Sequence, residues 1–338
     1  TSHIYVFSPD QQAGQLESSK AFAKEFMLAE NIPTAVYQKF NKETLHEGYA
    51  FLGTLKPPYV LKADGLAAGK GVLIIDDLNE AKDSLREMLD EQKFGEASST
   101  VVIEEFLDGI EFSVFVATDG KNYVLMPEAK DYKRIGEGDT GLNTGGMGAV
   151  SPVPFFEGDL KTKTIKQVIE PTIRGFKKQN INYRGFVFFG LMAVEGNPMV
   201  IEYNVRMGDP ETEVVIPRMM DSLSDIMSDA REGNLVTRES RNREGYCTTV
   251  FSVSGGYPEA YEKGKHISIS QDDEMLFHAG TKPNESGLVT NGGRVIAATQ
   301  FGSSLGEALK ASYALIEKVK FSGKNLRTDI GKDLMKFT

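Results

Sequence analysis

Apolar residues recur at two spacings along the chain. Ser18–Asn31 carries Ala21, Phe22, Phe26 and Ala29 on one face of a 3.6-residue repeat, with Ser18 or Ser19 as cap, and predicts a helix. Leu78–Gln92 repeats the pattern with Leu78, Ala81, Leu85 and Leu89, and Leu305–Val319 with Ala308, Ala311, Leu315 and Val319. Further helices are expected at His46–Leu55, Leu160–Gln179 (kinked or split by Pro171) and Asp221–Glu232. Short apolar runs predict strands at Ile4–Phe7, Ala35–Phe40, Tyr59–Leu61, Val72–Ile75, Val101–Ile103, Phe186–Val194 and Met199–Tyr203. Glu111–Ala117 and Tyr123–Pro127 form a hairpin about Thr118-Asp119-Gly120. After a polar stretch at Gly233–Gly245 strands dominate: Cys247–Val253, Glu274–Ala279, Val289 and Gly293–Thr299.

This order implies an α+β chain with a small αβ lid at 58–105 and a β-rich C-terminal domain at 236–338. The isolated run Ile4–Phe7, ending at Ser8-Pro9, is expected to be the last strand of a preceding domain, with 1–17 as its remnant and linker. The remaining segments, 18–57 and 106–235, would form the core.

A chain of 338 residues is long enough for two or three domains. Its 48 acidic and 38 basic residues give a net charge of −10, which argues against nucleic acid or an anionic membrane as the main partner. A nucleotide needs only a local cationic pocket. No apolar run approaches the roughly 20 residues that span a bilayer. The single cysteine, Cys247, excludes an internal disulfide, fits a reducing cytoplasm, and lies in an apolar run that reads as core rather than nucleophile.

Three stretches carry candidate chemistry. The first is Lys62-Ala-Asp-Gly-Leu-Ala-Ala-Gly-Lys70-Gly, between two predicted antiparallel strands. Gly65, Gly69 and Gly71 allow close backbone approach, and Lys62 and Lys70 add two ammonium groups, a combination suited to polyphosphate. It lacks the G-x-x-x-x-G-K-[ST] ending of a Walker A loop. The second is Ile135–Val150, with six glycines from Gly136 to Gly148 and polar side chains between them, suited to small-molecule recognition. The third is the strand end Glu202-Tyr-Asn204-Val-Arg206. In an extended chain its carboxylate, amide and guanidinium share one face, with Glu and Asn oxygens suited to Mg²⁺ and Arg to phosphate. A salt bridge between Glu202 and Arg206 is the competing reading.

The strand-framed glycine-lysine hairpin, the E-E-F-L-D-G segment from Glu104 and the E-x-N-x-R strand occur in the order seen in ATP-grasp ligases. K-A-D-G-L-A-A-G-K-G, D-T-G-L-N-T-G-G-M-G-A, R-M-G-D-P-E-T-E, F-H-A-G-T-K and T-N-G-G-R-V more closely resemble the phosphoribosylamine–glycine ligase family within them. The similarity runs from about Phe7 to Asp329. Leu142 stands where that family often has Pro, and Ser18-Ser19-Lys20 where it commonly has Gly-Ser-Lys.

The resemblance implies an ATP-grasp fold and an enzyme that uses ATP with Mg²⁺ or Mn²⁺ to join glycine to 5-phosphoribosylamine. It implies ATP binding by Lys20, Lys62, Gly69, Lys70, Gly71, Glu104, Glu105 and Leu107, with Glu111 at the ribose. Metal falls to Glu202 and Asn204, and catalysis to Arg206, Lys62 and Asp209. Asp131, Lys133, Asp139, Thr140, Asn143, Thr144, Gly145, Gly146, Met147 and Glu211 would hold the glycine and the amino sugar. A cytoplasmic monomer, or else a dimer, is expected, with no nucleic-acid or membrane partner. Two other readings fit part of the pattern: another ATP-grasp carboxylate–amine ligase or carboxylase, or an ATP-binding module inactive without an N-terminal domain.

Overall fold

The computed structural model describes residues 5–65, 71–271, 273–285 and 287–338, the side chain of Glu96 excepted. Tyr5–Phe7 is not in a strand, which corrects that expectation for its described part. The chain instead enters through helix α1 (Gln11–Ser18), capped by the Asp10 carboxylate on the Ala13 N–H at 2.9 Å. Helix α2 (Lys20–Ala29) follows at once, because Ser19 is extended (φ −129°, ψ 112°) and its hydroxyl caps Phe22 N–H. The expected single helix Ser18–Asn31 is therefore the second of two helices meeting at a corner.

The small αβ unit is a four-stranded antiparallel sheet with two helices against it. Its strands are β1 (Tyr37–Asn41), β2 (Tyr59–Ala63), β3 (Val72–Ile75) and β4 (Thr100–Glu104), in the order β1-β4-β2-β3. Helices α3 (Leu45–Leu52) and α4 (Leu78–Leu89) bury Leu52, Ala81, Leu85 and Leu89 against Phe40, Leu61, Val101 and Ile103. The unit thus begins near 37 rather than 58, since β1 pairs with β4 from Tyr37↔Glu104 to Asn41↔Thr100.

The central sheet is built on β5 (Ile110–Thr118), with β6 (Tyr123–Leu125) on one side. Beyond β6 comes the short run Arg238–Glu239. On its other side lie two long strands, Gly185–Val194 and then Asn197–Asn204 at the edge. Helices α1 and α2 and the segment Gly158–Lys178 cover one face, burying Leu16, Phe26, Phe176 and Tyr203 together. The expected helix over Leu160–Gln179 is split: a wider turn spans Thr164–Ile169, and Pro171 sits in the first turn of Glu170–Lys178. A helix absent from the sequence reading, Thr212–Arg218, lies on the other face.

The C-terminal sheet does not begin at 236. Strands β7 (Lys130–Asp131) and, after the hairpin β8 (Arg134–Gly136)–β9 (Thr140–Asn143), β10 (Gly148–Ser151) pair with one another. Strand β10 also pairs with Tyr246–Ser254, so both belong to a sheet whose other strands include Arg294–Gly302 and Leu276–His278. The glycine-rich stretch is thereby mostly strand, with residues 144–147 as the loop between β9 and β10. The expected late strands and final helix (Leu305–Ile316) are present. Cys247 is wholly buried, its thiol pushed up to about 12 by burial, in keeping with a core role. No helix among the described residues is long and apolar enough to cross a membrane.

Candidate active site

A cleft of about 420 Å³ opens where the α1–α2 corner, the small αβ unit and the edge of the central sheet meet. The helices contribute Glu17, Lys20 and Lys24. The small unit contributes Lys62, Gly71, Val72 and Glu104. Strand Asn197–Asn204, here β12 with Gly185–Val194 as β11, ends in the cleft with Glu202, Asn204 and, just beyond, Arg206.

Glu104 is buried between two lysines, with Lys62 Nζ at 2.9 Å and Lys24 Nζ at 3.0 Å on the same oxygen. Burial opposes its charge, but the two ammonium groups outweigh that and hold the carboxyl below its usual range. Its other oxygen is buried with no partner among the described residues. Lys24 donates also to Thr34 Oγ1 at 2.7 Å. Burial, helped by repulsion from Lys62, pushes it down to about 8 despite Glu104. Lys24 was missed in the sequence, although Lys20 and Lys24 stand four apart on one helix face. Like charges so placed disfavour the helix unless an anion faces them.

Lys20 donates to the Gly65 carbonyl at 3.4 Å, and burial lowers its pKa against the pull of Glu202. Asp64 is the acid the sequence passed over. Its carboxylate accepts the Ala21 N–H at 2.7 Å and the Ser19 hydroxyl at 3.1 Å, tying the hairpin to the positive end of α2. Gly71 lines the cleft; Gly69 and Lys70 lie outside the described residues.

Glu105 and Leu107 leave the end of β4. The Glu105 N–H donates to Val36 O, and its carboxylate accepts the Val36 N–H, both at 2.9 Å. The Glu105 side chain is thereby committed to the backbone of the preceding linker.

The Glu202–Arg206 salt bridge of the competing reading is not formed. Arg206 pairs with Glu17 at 3.0 Å, while Glu202 is exposed in the cleft and accepts no hydrogen bond from a described residue. Glu202 and Asn204 share a face of β12, directly opposite Gly190 and Phe188 of β11. One carboxylate and one amide oxygen, with phosphate oxygens to complete the shell, fit a Mg²⁺ site. Among the described residues no three acidic, His or Cys side chains are placed to hold a metal ion by themselves.

A second polar cluster lies one strand further in. Gly190 faces Glu202 on one side and Ser113 of β5 on the other, so the three share a row across the sheet. Because Gly190 has no side chain, the row is open at its centre; an added Cβ would stand 3.1 Å from Glu202 Cγ. Ser113 donates to Glu211 at 3.3 Å. Beside it Lys133 pairs with Glu111, and Asp131 completes the group. Burial works against the Lys133 charge, yet Glu111, Asp131 and Glu202 together hold it well above the lysine range. Burial, with the Asp131 charge, pushes Glu211 up to about 8. Glu111 therefore sits with the second cluster, not among the residues lining the cleft beside Glu104.

The other expected site residues divide. Thr144 anchors the loop through bonds from its N–H (2.7 Å) and hydroxyl (2.8 Å) to the Lys133 carbonyl, and Gly146 N–H returns to its Oγ1 at 2.9 Å. Gly146 adopts φ +112° against the Pro210 ring, where a Cβ would stand 2.3 Å from Pro210 Cδ. Gly145 donates to the Tyr257 hydroxyl and accepts from Arg294. Asp209 is held by both terminal nitrogens of Arg294, so it positions the loop rather than standing free. Met147 is wholly buried in the C-terminal core with both backbone groups bonded, and supports the loop from below. Asp139 and Thr140 lie at the tip of the β8–β9 hairpin, where Asp139 pairs with the buried Arg327 at 2.6 Å; Asn143 is exposed on β9.

Comparison with known proteins bears on this arrangement. Residues 18–212 match the phosphoribosylglycinamide synthetase ATP-grasp (A) domain, and residues 247–333 match its C domain. The chain belongs to the phosphoribosylglycinamide synthetase family. It is 45% identical over 332 residues to a phosphoribosylamine–glycine ligase of Chlorobaculum tepidum, covering 96% of this chain and 78% of that one. A crystal structure of phosphoribosylamine–glycine ligase from Thermotoga maritima superposes with a TM-score of 0.88 at 39% identity, over 96% of this chain and 81% of the other. The biotin carboxylase domain of Hydrogenobacter thermophilus 2-oxoglutarate carboxylase, solved with MgADP, shares the fold with a TM-score of 0.75. At 16% identity it covers 98% of this chain and 72% of its own. The α+β ATP-grasp architecture, with a β-rich unit following it, is thereby shown.

Proposed function

We propose that this chain ligates glycine to 5-phosphoribosylamine at the expense of ATP, giving glycinamide ribonucleotide, ADP and phosphate in purine biosynthesis. The observation that carries the reading is the row Glu202–Gly190–Ser113, which sets a lysine-lined nucleotide cleft edge to edge with the Glu111–Asp131–Lys133–Glu211 cluster.

ATP lies in the cleft with its phosphates toward Lys20 and Lys62. The unpartnered oxygen of Glu104 is an acceptor for the adenine amino group. Mg²⁺, held by Glu202 and Asn204, would neutralise charge between the phosphates. The glycine carboxylate attacks the γ-phosphorus; the bond to the bridging oxygen breaks and ADP leaves. Arg206 faces the charge that develops there. The phosphoribosylamine nitrogen then attacks the acyl carbon, the C–O bond to phosphate breaks, and the amine gives up a proton. Lys133 suits the glycine carboxylate, and Asp131 and Glu111 suit ammonium. An acyl phosphate hydrolyses in water, so the small αβ unit serves as a closing lid. The substrates are soluble metabolites and the single thiol is buried, which supports a cytoplasmic enzyme.

The test is turnover with defined acceptors. ADP release with Mg-ATP and glycine should depend on phosphoribosylamine and yield glycinamide ribonucleotide, while bicarbonate in place of glycine should give none. Bicarbonate-dependent ADP release without glycinamide ribonucleotide would overturn the reading in favour of a carboxylase.

A further inference from the structure

Glu17 is an acid in the wall of a cleft that otherwise gathers cations for polyphosphate. It occupies the last turn of α1, three residues before Lys20. One carboxylate oxygen accepts the Val205 backbone N–H at 2.9 Å, and the other accepts Arg206 Nε at 3.0 Å. A single carboxylate thus grips both the main chain and the side chain of the segment that follows Glu202 and Asn204. Its own side chain is 20% exposed, whereas that of Arg206 is 59% exposed. The remaining guanidinium contacts are longer, from Nη1 to Met207 O at 3.1 Å and from Nη2 to Asn204 Oδ1 at 3.3 Å. An arginine so exposed has many rotamers of similar energy, and a carboxylate on its Nε edge selects among them. Gripping the Nε edge leaves the two terminal nitrogens on these longer contacts only, which the oxygens of a phosphoryl group can replace.

We propose that Glu17 is a positioning residue for phosphoryl transfer: it fixes the Arg206 guanidinium toward the transferring group and couples the β12 end to the helix corner that carries Lys20. The inference rests on the role given to Arg206 above. Preorganised charge acts on the rate because it need not reorient as the transition state forms.

The test is a double-mutant cycle on the full chain with Glu17→Gln, Arg206→Ala and the double variant. Turnover, KM for Mg-ATP, ADP affinity and melting temperature are read for each. Glu17→Gln, which keeps the shape, is expected to lower kcat about 10-fold with KM and ADP affinity within about twofold. The double variant should be no slower than Arg206→Ala, since Glu17 acts only through that arginine. If Arg206→Ala turns over normally, the role of Arg206 itself falls. If Arg206→Ala is slow while Glu17→Gln keeps the wild-type kcat, or if the two losses add, the positioning role falls and the ligase reading stands. A lowered melting temperature with unchanged kcat marks Glu17 as a helix–strand clasp only and also overturns the proposal. Should Glu17→Gln fail to fold, Glu17→Asp is read by the same criteria.

Discussion

Arg294 donates from its two terminal nitrogens to the two carboxylate oxygens of Asp209, each at 2.8 Å. The same guanidinium donates to the Gly145 carbonyl at 2.7 Å and stands over the Phe251 ring, 4.7 Å from its centre. The C-terminal sheet thus holds, through one side chain, the glycine-rich loop and the turn that leads to Glu211. Lysine cannot reproduce a planar two-pronged donor. Arg294→Lys should therefore raise the KM for glycine or phosphoribosylamine on the order of 10-fold while that for Mg-ATP changes little. Separate KM measurements for the three substrates check this; an equal rise in all three would contradict it.

Glu211 gives a pH signature. Its folded-state value of about 8 lies above the ordinary 4.5, because burial and the Asp131 charge favour the neutral acid. The stability this lends is full below about pH 4.5 and is lost as pH rises from there through 8. Glu211→Gln mimics the neutral form at every pH. The variant should gain on wild type by on the order of 5 °C in melting temperature between pH 5 and pH 9. Melting curves across that range decide it; parallel curves would show that Glu211 ionises normally.

Much of this was legible in the sequence because the signals were local. The glycine-lysine hairpin, the strand ending in Glu202 and Asn204, and the late β-rich segment each declare themselves within about ten residues by alternation or periodicity. What stayed hidden was pairing at a distance. Arg294 lies in T-N-G-G-R-V, a run visible at once, but its partner is 85 residues away. Glu17 looks like a solvated helix acid until β12 arrives beside it from 188 residues on. Asp64 reads as loop chemistry, yet it caps a helix that precedes it. The domain boundaries failed for the same reason: β1 and β10 are joined to their sheets by partners no local pattern reveals.

Asp64 yields a stability prediction. It supplies an acceptor to the first turn of α2, where free N–H groups and the helix dipole favour a carboxylate. Ser19 continues to cap Phe22 without it, so the helix should persist. Asp64→Ala is expected to cost about 1–2 kcal/mol, the usual range for a lost cap. Asp64→Asn, which keeps an oxygen acceptor, should recover most of that. Denaturant unfolding of the pair provides the check, and equal stability of Asp64→Ala and wild type would refute the capping role.

The metal assignment rests on Glu202, an acid exposed in the cleft that accepts no hydrogen bond from a described residue, beside Asn204 on the same face of β12. A structural acid would be expected to hold a partner, and the obvious candidate, Arg206, is held by Glu17 instead. Glu202→Gln keeps the shape and removes the charge. ATP should still bind through Glu104 and the lysines, while turnover falls on the order of 10²-fold or more, as for loss of a preorganised electrostatic group. Melting temperature should change little, because Glu202 forms no ion pair with a described residue. The two observables separate the possibilities cleanly. A variant that melts earlier yet keeps near-normal turnover at saturating Mg-ATP would make Glu202 a structural acid and remove it from the metal site. A variant of unchanged stability whose lost turnover is partly restored by raising Mg²⁺ or replacing it with Mn²⁺ would place the carboxylate at the metal, since weakened coordination is offset by mass action.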